Sequence, residues 1–336
     1  MPKVELHVHL EGAIEPTTLL KLARRHRVRL PADDAAGIRE WFQFSDFAHF
    51  IEIYLTCSKC LRDPEDFQEI TYDFMAHQAE QNVLYSEVHF TIGTHLANGA
   101  NGGEVAHALD EAMAEGERRY GTRMRLIPDI VRDVGVDRAD RTVEWALDNR
   151  NRGVIALGLS GFESKPNEPF KEHFDVAHAE GLRVAVHAGE TQGPESIRSA
   201  LEICRPERIG HGVRSIEDPS LVEMLRDQEI PLEVCVSSNV CLGVVADAAS
   251  HPFDRLRQAG VELTVNSDDP PFFNTTLSGE YLLLHETFGY TPNDLAQLSR
   301  AGLRHAFLPN SERKALEVEF DKGLSELLDP AELGDR

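Results

Sequence analysis

The sequence is poor in cysteine and in basic residues, and it contains no long apolar run. Five cysteines, an odd number in 336 residues, do not make a disulfide framework. Lysine and arginine total 34 against 57 acidic residues, and the net charge of −23 argues against nucleic acid or an anionic membrane as partner, because both need a basic face. No stretch approaches the ~20 apolar residues that span a bilayer, and the amino-terminal residues lack the apolar core of a signal peptide. These absences predict a cytoplasmic protein.

No low-complexity segment or Pro/Gly/Ser linker divides the chain, which predicts a single domain over residues 1–336. Short β-branched runs alternate with amphipathic helical patterns. Eight such runs, seven of them followed by a clear helical pattern, fit a closed (β/α)₈ TIM-type barrel better than an open sheet. The predicted strands are Val4–Leu10, Val83–Phe90, Met124–Val131, Val154–Leu159, Arg183–His187, Glu207–His211, Leu232–Val236 and Glu262–Asn266.

Two segments exceed a minimal barrel. The insertion Phe42–Leu61 follows the first strand, on the side where barrel enzymes carry their sites, and we expect a helical lid there. The tail after Leu277 predicts about three further helices packed outside the barrel. The insertion carries a stripe of apolar residues at helical spacing, which is either ordinary core or a cover for an apolar part of a substrate. The stripe consists of Phe44, Phe47, Phe50, Ile51 and Tyr54.

Metal-ligand side chains occur at the ends of four predicted strands. Taken singly, each motif has an ordinary structural interpretation, such as a surface strand or a turn. Together they would converge at the carboxyl-terminal rim of the barrel, where such sites form. His7 and His9 are two residues apart in the first strand, so their side chains point the same way. The others are His187 at the end of the fifth strand, His211 at the end of the sixth, and Asp268 and Asp269 after the eighth.

Three imidazoles with one carboxylate suit Zn²⁺ and leave a position open for water, although iron or manganese would also be tolerated. The fourth strand ends in Leu159-Ser160-Gly161, without a carboxylate or lysine to bridge a second ion, so we expect one metal per chain. Four other candidate ligands are predicted to be structural or merely close to the substrate. They are Cys57 and Cys60, which lie in a helical pattern without a second cysteine pair, and His89 and His95.

Five segments carry a more specific signal. They are His7-Val8-His9-Leu10-Glu11-Gly12, His187-Ala188-Gly189-Glu190, Gly210-His211-Gly212, Ser237-Ser238-Asn239-Val240 and Ser267-Asp268-Asp269-Pro270. As a set, and in this order, they resemble the adenosine/adenine deaminase family of metal-dependent amidohydrolases. The resemblance implies a mononuclear zinc site on a (β/α)₈ barrel and hydrolytic loss of ammonia from C6 of a purine.

The resemblance also implies a role for each matching residue. Glu190 corresponds to the acid that protonates purine N1, and a carboxyl group used in that way needs a raised pKa. His211 corresponds to the group that orients the attacking hydroxide, and Asp268 can take the water's proton. The implied substrate contacts come from Asp269 at N7, the backbone amide of Gly161 at N3, and His9 and Glu11 beside the substrate. The implied zinc ligands are His7, His9, His187 and Asp268.

The family divides among adenosine, free adenine and larger derivatives such as aminodeoxyfutalosine. Adenosine deaminases usually carry Asp where this chain has Glu11, whereas the loop Leu159–Glu163 resembles that of nucleoside-acting members. We therefore expect adenosine or a 5′-modified adenosine as substrate, with adenine deaminase or aminodeoxyfutalosine deaminase as the alternatives. Remoter alternatives are another amidohydrolase, acting on an amide or ester, and a catalytically silent binding protein. No motif bears on the oligomeric state.

Overall fold

Eight parallel strands form one sheet in the order β1 to β8, in a computed structural model that describes residues 1–327. The first and last strands meet beyond β8, where the Asp268 amide donates to the His7 carbonyl (3.1 Å) and the His9 amide donates to the Asp268 carbonyl (2.9 Å). The predicted (β/α)₈ barrel is confirmed. The strands are β1 Lys3–His9, β2 Val83–Phe90, β3 Arg123–Val131, β4 Ala156–Ser160, β5 Arg183–Ala188, β6 Arg208–His211, β7 Leu232–Val234 and β8 Leu263–Val265.

The observed strand limits differ from the predicted ones by up to two residues at an end. β8 ends at Val265 because the side chain of Asn266, not its backbone, joins β1: its Oδ1 accepts the amides of Leu6 (2.9 Å) and His7 (3.1 Å). β7 stops at Val234 because a helix begins at Val236. Residues 328–336, the end of the predicted domain, lie outside the described residues.

The helices cover the outside of the sheet, and short 3₁₀ turns occur in some of the connections between strands and helices. Among residues 1–327, no helix combines the length and the apolar character needed to cross a bilayer. The α-helices are α1 Pro16–His26, α2 Ala35–Trp41, α3 Phe47–Ser58, α4 Pro64–Glu80, α5 Ile92–Ala97, α6 Gly102–Tyr120, α7 Val136–Asp148, α8 Lys171–Ala179, α9 Pro194–Ile203, α10 Pro219–Asp227, α11 Val236–Cys241, α12 Phe253–Gln258, α13 Leu277–Phe288, α14 Pro292–His305 and α15 Asn310–Ser325.

The tail forms the three predicted helices, α13 to α15, but it does more than pack outside the barrel. α14 lies against β1 and β8, and it can do so closely because Gly302 has no side chain; a Cβ there would lie 3.1 Å from the Val4 carbonyl oxygen. Phe307, in the turn after α14, packs on Ile127, Ala156 and Ala185 of three strands. The tail therefore contributes to the core beneath the sheet as well as to the outer layer.

Candidate functional site

Four strand ends place imidazole and carboxylate side chains around one point, where the sequence predicts them. Two of these ends have left-handed backbone, at His211 (φ 60°) and Asp268 (φ 64°). Non-glycine residues adopt this conformation at a cost of order 1–3 kcal/mol, so surrounding contacts must hold it. These turns direct both side chains into the barrel. The buried side chains that meet are those of His7, His9, His187, His211 and Asp268.

Three distances among the predicted ligand atoms are close to the spacing of ligands around one ion. His9 Nε2 lies 3.1 Å from His187 Nε2 and 3.4 Å from Asp268 Oδ1. His7 Nε2 lies 3.6 Å from the same Asp268 oxygen. Tetrahedral ligands about 2.0–2.1 Å from zinc lie roughly 3.3 Å from each other. These three distances agree with that spacing. His7, His187 and Asp268 also fall within one group of potential ligand atoms, and His9 falls with Asp268 in a second.

Hydrogen bonds fix which nitrogen each ring turns to this point. His7 Nδ1 lies 2.8 Å from Glu233 Oε2, and His187 Nδ1 lies 3.0 Å from the Leu159 carbonyl oxygen. Their Nε2 atoms are left for the site, and the buried His7 Nε2 has no hydrogen-bond partner among the described residues. A carboxylate or carbonyl behind a ligating imidazole is the usual support of a metal-binding histidine.

The electrostatics of the cluster also favour a cation. Burial lowers the pKa of His9 to about 4, and burial beside other imidazoles holds the pKa of His187 well below its usual range, so both rings are neutral as metal binding requires. Burial alone would lower the pKa of His7, but Asp268 and Glu233 outweigh it and raise that pKa to about 10. The carboxylates Asp268 and Glu233 thus stabilise a positive charge at the point where the predicted ligand atoms meet.

His211 faces the second carboxylate oxygen of Asp268. His211 Nε2 lies 3.8 Å from Asp268 Oδ2, the oxygen that also accepts a hydrogen bond from Ser238 (2.7 Å), whereas His7 and His9 face Oδ1. Its Nδ1 lies 3.2 Å from Asn239 Nδ2 and can accept from it, and burial lowers its pKa to about 3. His211 is thus a neutral group close to the predicted ligands. One of its nitrogens belongs, with ligand atoms of His7, His187 and Asp268, to a group whose atoms all lie within 4.8 Å of one another, so its exclusion from the ligand set stays a prediction.

Glu190 reaches the cluster from the turn after β5. Its Oε1 accepts a hydrogen bond from Asn239 Nδ2 (3.3 Å) and lies 3.5 Å from His211 Nδ1. Burial, with the negative charge of Asp268 beside it, holds the pKa of Glu190 well above its usual range. This shift favours the protonated carboxyl group, which can donate a proton to a group in the cavity.

Asp269 is a second buried carboxyl group at the same end of the cavity. Burial and the neighbouring Asp268 raise its pKa well above the usual range, and its Oδ1 has no hydrogen-bond partner within residues 1–327. Gly12 makes room for it, because a Cβ at that position would lie 1.5 Å from Asp269 Oδ1. The shift favours the protonated carboxyl group of Asp269, which can then donate a hydrogen bond into the cavity that it lines.

These groups form the inner end of a cavity of about 340 Å³. Gly161 lines it with left-handed backbone (φ 89°), and a Cβ there would lie 2.5 Å from Asp133 Oδ2, so only glycine leaves this wall open. Most of the predicted stripe also lines the cavity, whereas Phe44 packs behind it against Phe50 and Phe273. The stripe residues on the cavity wall are Phe47, Phe50, Ile51 and Tyr54.

Glu11 lies behind the cavity wall, not on it. It is fully buried, and its carboxylate accepts hydrogen bonds from the Thr91 amide (2.9 Å) and hydroxyl (2.6 Å) and from Tyr54 (3.0 Å), with His95 Nε2 at 2.8 Å. Burial would raise its pKa, but His95 and Thr91 outweigh burial and lower it to about 2. Glu11 therefore orders Thr91 and Tyr54, which do line the cavity.

The two histidines left out of the predicted metal site each face a carboxylate. His95 Nε2 lies 2.8 Å from Glu11 Oε1, and His89 Nδ1 lies 2.8 Å from Asp129 Oδ1. Cys57 and Cys60 are buried free thiols at the end of α3.

Sequence reasoning missed Glu163, which holds the turn that carries Glu190. Its carboxylate accepts hydrogen bonds from three successive backbone amides, those of Gly189 (2.7 Å), Glu190 (2.9 Å) and Thr191 (2.8 Å), and from the Ser196 hydroxyl (2.7 Å). These partners lie 26 to 33 positions away in the chain, so no local pattern indicates them. The only available signal was an acid close to the end of a strand.

The sequence model of the adenosine deaminase family matches residues 2–323 of this chain. An aminodeoxyfutalosine deaminase from Streptomyces coelicolor is 39% identical over 324 residues, which cover 95% of this chain and 84% of that protein. An adenine deaminase from Stutzerimonas stutzeri is 36% identical over 304 residues, covering 90% and 96% respectively. The crystal structure of a Burkholderia ambifaria amidohydrolase with bound zinc has a TM-score of 0.90 at 25% identity, covering 100% of this chain and 93% of that one. The similarity extends over nearly the whole length of each protein.

Proposed function

This chain belongs to the adenosine deaminase family, and from that premise we propose that it hydrolyses the 6-amino group of adenosine or a 5′-modified adenosine, releasing ammonia and the inosine-type product. The observation that carries the proposal is the cavity of about 340 Å³ at the barrel rim. It has the size of a site for a small organic ligand, and it continues from a polar inner end into a largely apolar outer part. This shape suits a purine with a sugar and a further substituent better than a free base.

The metal of this proposal is one zinc ion held by His7, His9, His187 and Asp268. Their spacing, the neutral state of two of the imidazoles and the zinc in a relative of the same fold support that choice. When bound, zinc lowers the pKa of a water molecule toward ~7 and so supplies hydroxide near neutral pH.

Glu190 is the proposed general acid. Addition of hydroxide at C6 breaks the aromaticity of the ring and moves electron density to N1, which must gain a proton. Burial keeps Glu190 protonated, and Asn239 holds its carboxyl group in place. The O–H of Glu190 therefore supplies the proton at N1.

The remaining polar groups orient the base. Purine N7 can only accept a hydrogen bond, which suits Asp269 in its protonated form. His211 stays neutral, and its position beside the second oxygen of Asp268 suits a role in directing the attacking hydroxide. The backbone of Gly161 can approach N3 closely because it has no side chain.

Adenine is the second candidate substrate. It is favoured by the 36% identical relative named an adenine deaminase and by Glu11, whose carboxylate is hydrogen-bonded to Tyr54, Thr91 and His95 in this structure. The two candidates differ in whether the outer part of the cavity contributes binding energy. Only a nucleoside would use it.

Steady-state ammonia release from zinc-loaded protein tests the proposal. We expect adenosine, 5′-deoxyadenosine, methylthioadenosine or aminodeoxyfutalosine to exceed adenine in kcat/KM. A higher kcat/KM for adenine than for every nucleoside would establish the second candidate instead. Absence of ammonia from all five compounds, with one equivalent of zinc bound, would overturn both and favour another amidohydrolase or a binding protein.

Glu190→Gln tests the mechanism within that assay. Gln keeps the size of the side chain but cannot transfer a proton, so we expect kcat and kcat/KM to fall together by at least ~100-fold, the usual scale of general acid catalysis. Zinc content should not change. Glu202→Gln, an exposed substitution on α9, is the matched control. A folded, zinc-loaded Glu190→Gln enzyme within a few-fold of wild type would remove Glu190 from this role.

A further inference from the structure

Each imidazole among the predicted metal ligands has a second ring nitrogen, which needs a partner of its own. Two of the three rings have one, since His7 Nδ1 faces Glu233 and His187 Nδ1 faces the Leu159 carbonyl oxygen. His9 is the exception, because its Nδ1 is buried and makes no hydrogen bond within residues 1–327. A buried polar nitrogen that stays unpaired is unfavourable, so an acceptor close to this nitrogen would stabilise the ring.

Asp129, in β3, is the acidic group that this nitrogen faces. Its Oδ2 lies 3.8 Å from His9 Nδ1, and this oxygen too is buried and unpaired in the described part of the chain. Its other oxygen, Oδ1, lies 2.8 Å from His89 Nδ1. No other Lys, Arg or His nitrogen of the described residues lies within 4.0 Å of this carboxylate. The unpaired oxygen of Asp129 and the unpaired nitrogen of His9 are therefore complementary.

The strands on either side of β3 hold Asp129 in this position. His89, in β2, is fully buried, as is Asp129, and it engages the first oxygen of the carboxylate. Gly158, in β4, is the direct neighbour of Asp129 in the register of the sheet. A Cβ on Gly158 would lie 1.8 Å from Asp129 Oδ1 and 3.2 Å from His89 Nδ1, so any side chain there would displace the carboxylate. Histidine on one side and glycine on the other leave the second oxygen facing His9.

A carboxylate beside Nδ1 of a neutral imidazole selects the tautomer that carries its proton on Nδ1, because it attracts an N–H and repels a lone pair. The lone pair of Nε2 is then free to bind a metal. In His9 this is the nitrogen that lies 3.1 Å from His187 Nε2 and 3.4 Å from Asp268 Oδ1, among the predicted ligand atoms. Asp129 is therefore placed to keep His9 in the form that a metal ligand requires.

We propose that Asp129 is a positioning residue that fixes the tautomer and orientation of His9 for the metal, and that His89 and Gly158 fix Asp129. The inference rests on the zinc site of the proposed function. Asp129 does not line the cavity, so it acts through His9 and not on a substrate. Each of the three imidazole ligands then has its own support.

The test uses zinc itself and does not depend on turnover. The zinc Kd of the metal-free protein is measured by competition with a chromophoric chelator, and Tm is measured with and without zinc. Asp129→Asn keeps the size of the side chain but removes its charge, and we expect the zinc Kd to rise about 10- to 100-fold, the usual effect of losing such a support. Asp137→Asn, an exposed substitution on α7, is the matched control and should bind zinc as the wild type does.

Two further variants test the route of the effect. Gly158→Ala displaces the same carboxylate without removing its charge, so it should weaken zinc binding too, and it provides the test if Asp129→Asn does not fold. If Asp129 acts through His9, Asp129→Asn should change the zinc Kd less than about 3-fold in a His9→Ala background, where the positioned ring is absent. A further loss of about 10-fold in that background would overturn the inference.

A purely structural role of Asp129 gives a different result. Asp129→Asn would then lower the Tm of the metal-free and the zinc-loaded protein equally and leave the zinc Kd unchanged, which would overturn the inference. Wild-type protein that binds no zinc would overturn both the inference and the proposed zinc site. If the wild type binds one zinc but releases ammonia from no purine, the proposed deaminase function fails, whereas a raised zinc Kd in Asp129→Asn still supports the role of Asp129.

Discussion

Glu163→Gln is the sharpest perturbation that the structure offers, because it replaces a single oxygen atom by nitrogen. The Glu163 side chain does not contact the donor atoms of the predicted metal ligands, and it takes no part in the proposed proton transfer. The carboxylate accepts four hydrogen bonds, at 2.7 to 2.9 Å, from the turn Gly189–Thr191 and from Ser196. Glutamine has one acceptor oxygen, and its amide nitrogen would face N–H groups that it cannot accept from. About two of the four bonds are therefore lost.

Hydrogen bonds to a charged group contribute about 1.5–3 kcal/mol each, so two of them would amount to roughly 3–6 kcal/mol in a dry site. Glu163 is only half-buried, and water can replace part of the loss, so we expect about 2–3 kcal/mol of local destabilisation. This energy holds the turn that carries Glu190. A displacement of about 1 Å at a reacting group costs roughly 100-fold in rate, and we therefore expect kcat to fall between 10- and 100-fold.

The assay measures kcat, KM, zinc content and Tm for Glu163→Gln and for Glu168→Gln, an exposed substitution in the same loop. The control should match wild type in all four. If Glu163 acts through Glu190, the double variant with Glu190→Gln should be no slower than Glu190→Gln alone, because the positioned group is already absent. Multiplicative losses in the double variant, or wild-type kcat in a folded Glu163→Gln enzyme, would refute the reasoning.

Two other predictions follow from contacts in the cavity wall. Gly12→Ala should lower kcat/KM more than 10-fold and alter binding of the base, because the new Cβ would lie 1.5 Å from Asp269 Oδ1 and displace that carboxyl group. Unchanged kinetics in the folded variant would show that Asp269 tolerates movement. Phe47→Ala and Phe50→Ala should raise KM several-fold for 5′-substituted adenosines and less for adenine, since both rings line the cavity. If these variants have a lower Tm but an unchanged kcat/KM, the stripe is ordinary core.

The sequence predicted the parts of the site that follow from strand geometry. The two-residue spacing of His7 and His9 places both rings on one face of a strand, and the ends of parallel strands meet at one rim of a barrel. His187, His211 and Asp268 could be placed there without knowledge of any contact. The groups that support the site residues could not be predicted from the sequence. Glu233, for example, is 226 positions from His7 in the chain, and the two side chains meet only when the barrel closes.

Glu11 shows where motif position and side-chain direction diverge. It follows the His7–His9 pair closely, and from the sequence we expected it beside the substrate. In the structure the chain has left β1 by this point, and the carboxylate turns toward Thr91, which follows β2, and His95, which lies in α5. The direction of a side chain in a loop depends on partners that the local sequence does not specify, and direct contact of Glu11 with a substrate remains a prediction.

The structure also connects the candidate metal centre with the far end of the chain. His7 Nδ1 lies 2.8 Å from Glu233, whose other oxygen accepts from Arg208; the guanidinium of Arg208 pairs with Glu87 (2.6 Å) and lies 3.5 Å from the centre of the Phe307 ring. Buried charges are stable only while each keeps its partner, and removing one partner costs about 3–5 kcal/mol. Arg208 is fully buried between two acidic groups, and the aromatic face of Phe307 and the carbonyl of His305 complete its surroundings. The turn after α14 is therefore part of the support of His7, although no tail residue up to position 327 lines the cavity.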